Sequence, residues 1–217
     1  MNFEKARFNM VEQQIRPWEV LDPVVLDLLM TVKREEFVPA RSRALALSEA
    51  EIPLGCGQVM LKPVIEGKIL QALQLKETDS VLEIGTGSGF FAALLAARAD
   101  WVRSIEIEPE LVRLASANLS RNNVANVIVE EGDGAQGWPS RAPYDVIVIS
   151  GGLPYLPQAL LEQLNVGGRL FAFVGEAPLM KARLVTCEAE GRFRSEDLFE
   201  TVVPMLKCAV QHERFSF

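Results

Sequence analysis

The most informative stretch of this chain is Val81-Leu82-Glu83-Ile84-Gly85-Thr86-Gly87-Ser88-Gly89. A short apolar run followed by three glycines at alternate positions predicts a buried strand that turns tightly into a helix, here Phe90 to Ala99. Glycine tolerates positive φ and close backbone approach, and the free N–H groups at the start of a helix point at whatever lies above them. The stretch therefore predicts a site for a ligand the size of a nucleotide.

Acidic residues accompany the glycine loop and argue against a turn kept only for packing. Glu83 precedes the loop, and Glu106 with Ile107 closes the next predicted strand, where a carboxylate can accept hydrogen bonds from ribose hydroxyls. Asp133 and Gly134 follow the third predicted strand. The glycine spacing is GxGxG rather than GxGxxG. The combination resembles class I S-adenosylmethionine-dependent methyltransferases more than NAD enzymes.

The length, hydrophobic content and net charge of the chain limit the number of domains and the kinds of partner that it can have. The chain has 217 residues and 49% hydrophobic content, enough to bury the core of one domain with an appendage. A net charge of −7 argues against extended contact with phosphate backbones, so nucleic acid is not expected as a partner. We predict a single domain over residues 1–217, with an N-terminal helical and lid segment (1–75) and a ligand-binding core (76–217).

Cysteine and histidine usage narrows the chemistry. Cys56, Cys187 and Cys208 are widely spaced and odd in number, which favours a reducing compartment over a disulfide framework. His212 is the single histidine of the sequence, so the chain cannot form a histidine-rich metal site, and a histidine-centred catalytic triad could form only around His212. We therefore expect no metal. We find no pattern of a signal peptide or a membrane span and expect a cytoplasmic protein that does not bind membranes.

Strands and helices alternate along the remainder of the chain. The continuously apolar Val146-Ile147-Val148-Ile149 is typical of a strand covered on both faces. Such alternation predicts an α/β fold: a doubly wound, mostly parallel sheet, with an N-terminal helical segment and C-terminal edge strands. The predicted strands are 81–84, 101–107, 126–130, 144–150 and 169–174, and the predicted helices are 3–15, 22–32, 63–74, 90–99, 109–121 and 157–164. Ligands of such sheets bind at the carboxyl ends of the strands, where Ser150 also lies.

One apolar segment outside this alternation precedes the sheet. Residues 52–63 contain two glycines and two prolines and predict an irregular loop, which is a candidate lid beside the ligand site. Residues 181–217 show alternating runs around Gly191-Arg192 and predict a terminal hairpin or edge strands without evident chemistry.

Motifs throughout the chain resemble the protein-L-isoaspartate O-methyltransferase family, a branch of the class I methyltransferases. The matching segments are Phe37-Val38-Pro39, Ile52-Pro53-Leu54-Gly55 with Gly57-Gln58, Val81 to Phe90, Ile105-Glu106, Gly132-Asp133-Gly134 with Gly137-Trp138, Tyr144-Asp145, and Leu161 to Leu164 with Gly167-Gly168. Their order and spacing make the resemblance specific.

The resemblance implies a site for S-adenosyl-L-methionine. In it, the loop from Gly85 to Gly89 carries the amino acid moiety, Glu106 holds the ribose, and Asp133 with the Gly134 backbone contacts the adenine. The candidate cofactor-binding residues are Glu83, Gly85, Thr86, Gly87, Ser88, Gly89, Glu106, Ile107, Asp133, Gly134 and Ser150. The expected substrate is a protein or peptide with isoaspartyl residues, and the expected assembly is a monomer or weak dimer.

The chain departs from the family pattern at the acceptor site. The family's Gly-Gln pair is followed by Thr-Ile-Ser, whereas this chain has Val59-Met60-Leu61. Gln58 remains as a candidate catalytic residue, and Leu61 stands at the position of the acceptor-site serine. Three hypotheses stay open: the family's carboxyl methylation, methylation of a different, more apolar or small acceptor, and a non-catalytic module that binds the cofactor. An NAD oxidoreductase is a more distant alternative.

Overall fold

The computed structural model describes residues 2–209, which form a seven-stranded sheet with helices on both faces and a separate hairpin. The helices are α1 (Phe3–Met10), α2 (Pro23–Thr31), α3 (Pro63–Leu73), α4 (Phe90–Ala96), α5 (Pro109–Arg121) and α6 (Gln158–Leu161). The strands are β1 (Ile52–Gly55), β2 (Gln58–Met60), β3 (Ser80–Ile84), β4 (Trp101–Glu106), β5 (Val127–Glu131), β6 (Tyr144–Leu153), β7 (Leu164–Glu176), β8 (Leu179–Ala189) and β9 (Arg192–Thr201).

The sheet has the strand order β5-β4-β3-β6-β7-β8-β9. Strands β3 to β7 pair in parallel, and β8 and β9 add antiparallel strands at one edge. This arrangement confirms the predicted doubly wound, mostly parallel fold with C-terminal edge strands. The chain direction across the sheet reverses between β3 and β6, and such a switch point leaves a crevice at the carboxyl ends of the strands.

Alternate residues of the central strands bury two different cores. Val81, Val146 and Val148 face a cluster shared with α4 and the N-terminal segment. Ile147 and Ile149 face a second cluster on the other side of the sheet. Because successive side chains of a strand point to opposite faces, the β-branched run of β6 is buried on both sides, as its sequence predicts.

The N-terminal helices follow the predicted boundaries with one difference. Asp22 caps α2 by accepting a hydrogen bond from the Val24 backbone N–H at 2.8 Å, with Pro23 in the first turn. The first helix ends at Met10 and continues as a π-helical turn over Val11–Ile15, where a continuous α-helix was predicted. A π-helical turn changes the direction in which the following side chains point. Val11 and Ile15, at the two ends of this turn, are both buried.

The predicted irregular loop at residues 52–63 is instead an antiparallel β-hairpin. Ile52 pairs with Met60, and the tip turns through Cys56 and Gly57, both at positive φ. The alternation of buried Ile52 and Leu54 with exposed Pro53 follows a strand period, which explains why the segment pairs.

Two boundaries near β7 also differ from the prediction. The helix predicted at 157–164 covers only α6, and β7 begins at Leu164 rather than at Arg169. Gly167 takes a φ of +84° inside β7 and accompanies a shift in its register with β6. Among residues 2–209, no helix is long and apolar enough to cross a bilayer.

Candidate functional site

A cavity of about 660 Å³ opens at the carboxyl ends of β3, β4 and β6, beside the switch point of the sheet. It contains most of the residues predicted from the sequence: Gln58, Leu61, Gly85, Gly87, Glu106, Ile107, Asp133, Gly134 and Ser150. Segments far apart in the chain thus meet at one edge of the sheet.

The glycine loop forms the floor of this first cavity. Gly87 has a φ of +56°, and its backbone N–H donates to Glu106 Oε2 at 2.8 Å. Gly89 has a φ of +82° and touches Ala115 of α5, so a side chain there would meet the α5 backbone at 3.2 Å. The loop is therefore held rigidly between β4 and α5.

Glu106 is fixed as an acceptor at the end of β4. Its Oε2 accepts from the Gly87 N–H, and its Oε1 accepts from the Glu108 N–H at 3.0 Å. The side chain is buried but lines the first cavity. Two backbone donors therefore fix this carboxylate, and each of its oxygens can still accept a further hydrogen bond.

Asp133 and Gly134 form the wall beyond Glu106. Asp133 is exposed, and its Oδ1 accepts from the Ala135 N–H at 2.9 Å. A side chain on Gly134 would lie 2.9 Å from the Ile84 side chain. The wall therefore presents bare backbone and a carboxylate to the first cavity.

A second, smaller cavity of about 320 Å³ adjoins the first at the glycine loop. The two share Val59, Leu61, Gly85, Gly87 and Ser150. Thr86 and Ser88, both predicted site residues, line only this second cavity. Apolar side chains from the hairpin and helix α4 form most of its remaining wall: Leu54, Met60 and Phe91.

Glu83 and Gly89 are the two predicted cofactor residues that line neither cavity. Glu83 is fully buried beneath the loop, where the Ser104 hydroxyl donates to its Oε2 and also pairs with Thr86 Oγ1. Burial raises the pKa of Glu83 to about 8, the Ser104 hydrogen bond opposes the rise, and Glu106 reinforces it. Glu83 supports the loop from below rather than facing a ligand.

Glu66 of α3 supplies the charge in the second cavity, and it was not among the residues predicted from the sequence. Its carboxylate Oε2 pairs with Arg34 Nη1, and both side chains are buried. Arg34 also donates from Nε to the Ala46 carbonyl at 2.9 Å and from Nη2 to the Leu61 carbonyl. Burial raises the pKa of Glu66 to about 7, although Arg34 opposes the rise. The one feature of the sequence that could have indicated this residue is the position of Glu66, an acid within the mostly apolar sequence of α3.

A strap, Pro204–Lys207, closes the first cavity and was not predicted either. It follows β9 and runs beside β6, where Gly152 donates to the Pro204 carbonyl at 2.8 Å and accepts from the Leu206 N–H at 2.9 Å. Leu206 lies against Gly151, and Lys207 pairs with Glu108 at the start of α5. No local pattern in residues 204–207 predicts this packing, because it depends on a strand remote in sequence.

Within residues 2–209, no group of His, Cys, Asp or Glu side chains has an arrangement that could hold a metal ion. His212 lies outside the described residues.

The protein-L-isoaspartate(D-aspartate) O-methyltransferase (PCMT) family model matches residues 5–207. Protein-L-isoaspartate O-methyltransferase 1 of Rhodopseudomonas palustris (strain HaA2) is 46% identical over 174 residues, which are 80% of this chain and 71% of the relative. Protein-L-isoaspartate O-methyltransferase 1 of Geotalea uraniireducens is 38% identical over 210 residues, 96% of each chain.

Solved structures share the fold across nearly the whole chain. A Plasmodium falciparum protein assigned to the same methyltransferase type, crystallised with S-adenosyl-L-homocysteine, superposes with a TM-score of 0.81 at 17% identity. The match covers 95% of this chain and 99% of that one. A protein-L-isoaspartate O-methyltransferase structure superposes with a TM-score of 0.77 at 21% identity, covering 94% of this chain and 65% of that one.

Proposed function

Because the chain belongs to the protein-L-isoaspartate(D-aspartate) O-methyltransferase family, we propose that it methylates the free carboxylate of isoaspartyl residues in proteins and peptides. The methyl donor is S-adenosyl-L-methionine. The family match over residues 5–207 carries this proposal, since it includes both cavities and the strap that closes the first.

The residues of the two cavities fit this cofactor. Glu106, fixed by two backbone donors, would accept hydrogen bonds from the ribose hydroxyls. Asp133 and the bare backbone of Gly134 would face the adenine, and the loop at Gly85 and Gly87 would carry the amino acid moiety. When bound, the cofactor supplies a methyl group on a sulfonium.

This chain's own residues contribute mainly orientation and exclusion of water. An acceptor carboxylate with a reference pKa of roughly 4 is ionised at neutral pH, so no general base is needed. Orientation alone can contribute about 7–11 kcal/mol to such a transfer. Gln58 lies in the lining of the first cavity as a candidate to hold the acceptor, while Val59 and Leu61 border both cavities.

A second candidate function is methylation of a different, more apolar acceptor. Val59 and Leu61 occupy positions where the family has hydroxyls, and Leu54, Met60 and Phe91 extend the apolar wall. A carboxylate pressed against this wall loses solvation without gaining a donor. An acceptor with an apolar flank would gain contact area there instead.

Methyl transfer to matched peptides tests the proposal. The purified protein is incubated with radiolabelled S-adenosyl-L-methionine and either an isoaspartyl peptide or its aspartyl counterpart. We expect base-labile label on the isoaspartyl peptide alone, and loss of cofactor binding by about tenfold in Glu106→Ala and in Asp133→Ala. Absence of peptide labelling with intact cofactor binding would reject the isoaspartyl acceptor, and label on an apolar component of a metabolite extract would then support the second candidate.

A further inference from the structure

Glu66 presents an unused carboxylate oxygen to the second cavity. Its side chain is only 2% exposed, and Oε2 is occupied by Arg34. Oε1 accepts no hydrogen bond from the residues that the structure describes. Oε1 is not one of the fully buried polar atoms that lack a partner among residues 2–209, so it stays accessible from the cavity to a donor that arrives with a ligand.

The charged residues around the second cavity indicate which chemical class of donor can bind to Glu66. Among the described residues, Glu66 is the only charged side chain that lines the second cavity. Arg34 is fully buried, and its three nitrogens donate to Glu66, Ala46 and Leu61. Arg34 therefore fixes Glu66 but does not line either cavity. The geometry favours a small cationic group that reaches the glycine loop from the first cavity.

We propose that Glu66 binds the α-ammonium group of the methionine part of S-adenosyl-L-methionine and that Arg34 is the residue that positions its carboxylate. This inference rests on the proposed function, because it takes the cofactor from it. Hydrogen bonds between an ammonium and a carboxylate are roughly twice as strong as neutral ones, and low exposure strengthens them. The glycine loop faces the same cavity and would carry the neighbouring atoms of the amino acid.

The protonation behaviour of Glu66 agrees with this role. Burial raises its pKa to about 7 even though Arg34 is paired with it, and the charge of Glu49 contributes to the rise. One guanidinium thus does not fully compensate the buried carboxylate. A second cation at Oε1 would lower the pKa of Glu66 and favour its ionised form.

Three ligands measured by calorimetry separate this role from general support of the fold. S-adenosylhomocysteine carries the complete amino acid, its desamino analogue lacks only the ammonium, and methylthioadenosine lacks the amino acid moiety. In the unmodified protein, we expect the desamino analogue to bind about tenfold more weakly than S-adenosylhomocysteine. This comparison needs no mutation and therefore does not depend on the folding of a variant.

The variants Glu66→Gln and Glu49→Gln complete the experiment. We expect Glu66→Gln to weaken S-adenosylhomocysteine about tenfold while the affinities for the desamino analogue and methylthioadenosine stay within about twofold. Glu49→Gln is the matched control, because Glu49 acts on Arg34 and Glu66 but lines neither cavity. It should leave all three affinities within about twofold.

Other outcomes would overturn the inference. Equal weakening of all three ligands by Glu66→Gln would mean that Glu66 only supports the fold, and unchanged binding would mean that it faces no cofactor group. If the affinities follow the expectation but no isoaspartyl peptide is methylated, the inference stands and the proposed acceptor falls. If the unmodified protein binds neither S-adenosylhomocysteine nor methylthioadenosine, both proposals fall.

Discussion

Leu61 stands where the two cavities meet, and it replaces a hydroxyl at the position most relevant to the acceptor. Its side chain is buried and its carbonyl is held by Arg34, so the backbone at this position is fixed whatever the side chain is. We predict that Leu61→Ser raises kcat/KM for an isoaspartyl peptide about tenfold or more, because it supplies a donor to the acceptor carboxylate.

Two further measurements test whether the rise in kcat/KM comes from a hydroxyl at position 61 itself. S-adenosylhomocysteine affinity should be unchanged by Leu61→Ser, and Leu54→Ser, which adds a hydroxyl elsewhere on the same apolar wall, should not raise kcat/KM. An equal gain in both variants would show that polarity anywhere in the wall suffices.

Glu83 makes the stability of the fold depend on pH. Its pKa is about 8 in the folded protein, compared with 4.5 for an unperturbed glutamate side chain. Between these values the folded state keeps a proton that the unfolded state releases, so the free energy of unfolding falls as pH rises, by up to about 1.4 kcal/mol per pH unit.

The variant Glu83→Gln should remove this decline. Between pH 7 and 8, we expect unfolding in urea to show the unmodified protein losing about 1 kcal/mol more stability than the variant. This window lies at or above the pKa of Glu66, about 7, which limits the contribution of that second buried acid. Parallel stability curves for the two proteins would contradict the assignment.

The strap over the first cavity is tied to helix α5 by Lys207 and Glu108. Both side chains are partly exposed, so the pair should contribute little to overall stability but hold the strap in place. We predict that Lys207→Ala leaves the melting temperature unchanged while S-adenosylhomocysteine dissociates severalfold faster in stopped-flow experiments. Lys181→Ala breaks another exposed pair, with Asp197 between β8 and β9, and should leave the dissociation rate as it was. Equal rates in all three proteins would mean that the strap does not limit release.

Elements with local signals could be predicted from the sequence, and those defined by distant contacts could not. Helix α5 runs from Pro109 to Arg121 as predicted, since proline marks its first turn. The hairpin at Cys56 was missed because glycines and prolines obscured its alternation.

The same contrast holds within the site. Glu106 and Asp133 could be found because acids at strand ends share one edge of a parallel sheet. Glu66 could not, because an acid in a helix ordinarily indicates a solvated face, and only the tertiary contact with Arg34 explains its burial.

The sheet as a whole has an edge that its charges protect. Within residues 2–209, β9 forms one edge of the sheet. The side chains of Arg194 and Glu196 on this strand are exposed. Charged residues on an edge strand oppose pairing with a second molecule. We predict that the double variant Arg194→Val, Glu196→Val aggregates faster below its melting temperature, as followed by light scattering. Glu4→Val with Lys5→Val, on the exposed side of α1, is the control and should aggregate no faster than the unmodified protein.

The strap sets an order of events during synthesis. The first cavity takes its floor from residues near position 85 and its cover from residues 204–207, so more than half of the chain separates the two. A ribosome therefore delivers the glycine loop, Glu106 and Asp133 long before the segment that covers them. A nascent chain in which residue 207 is still inside the exit tunnel has an open cleft. Retention of the cofactor should begin only after that residue has emerged.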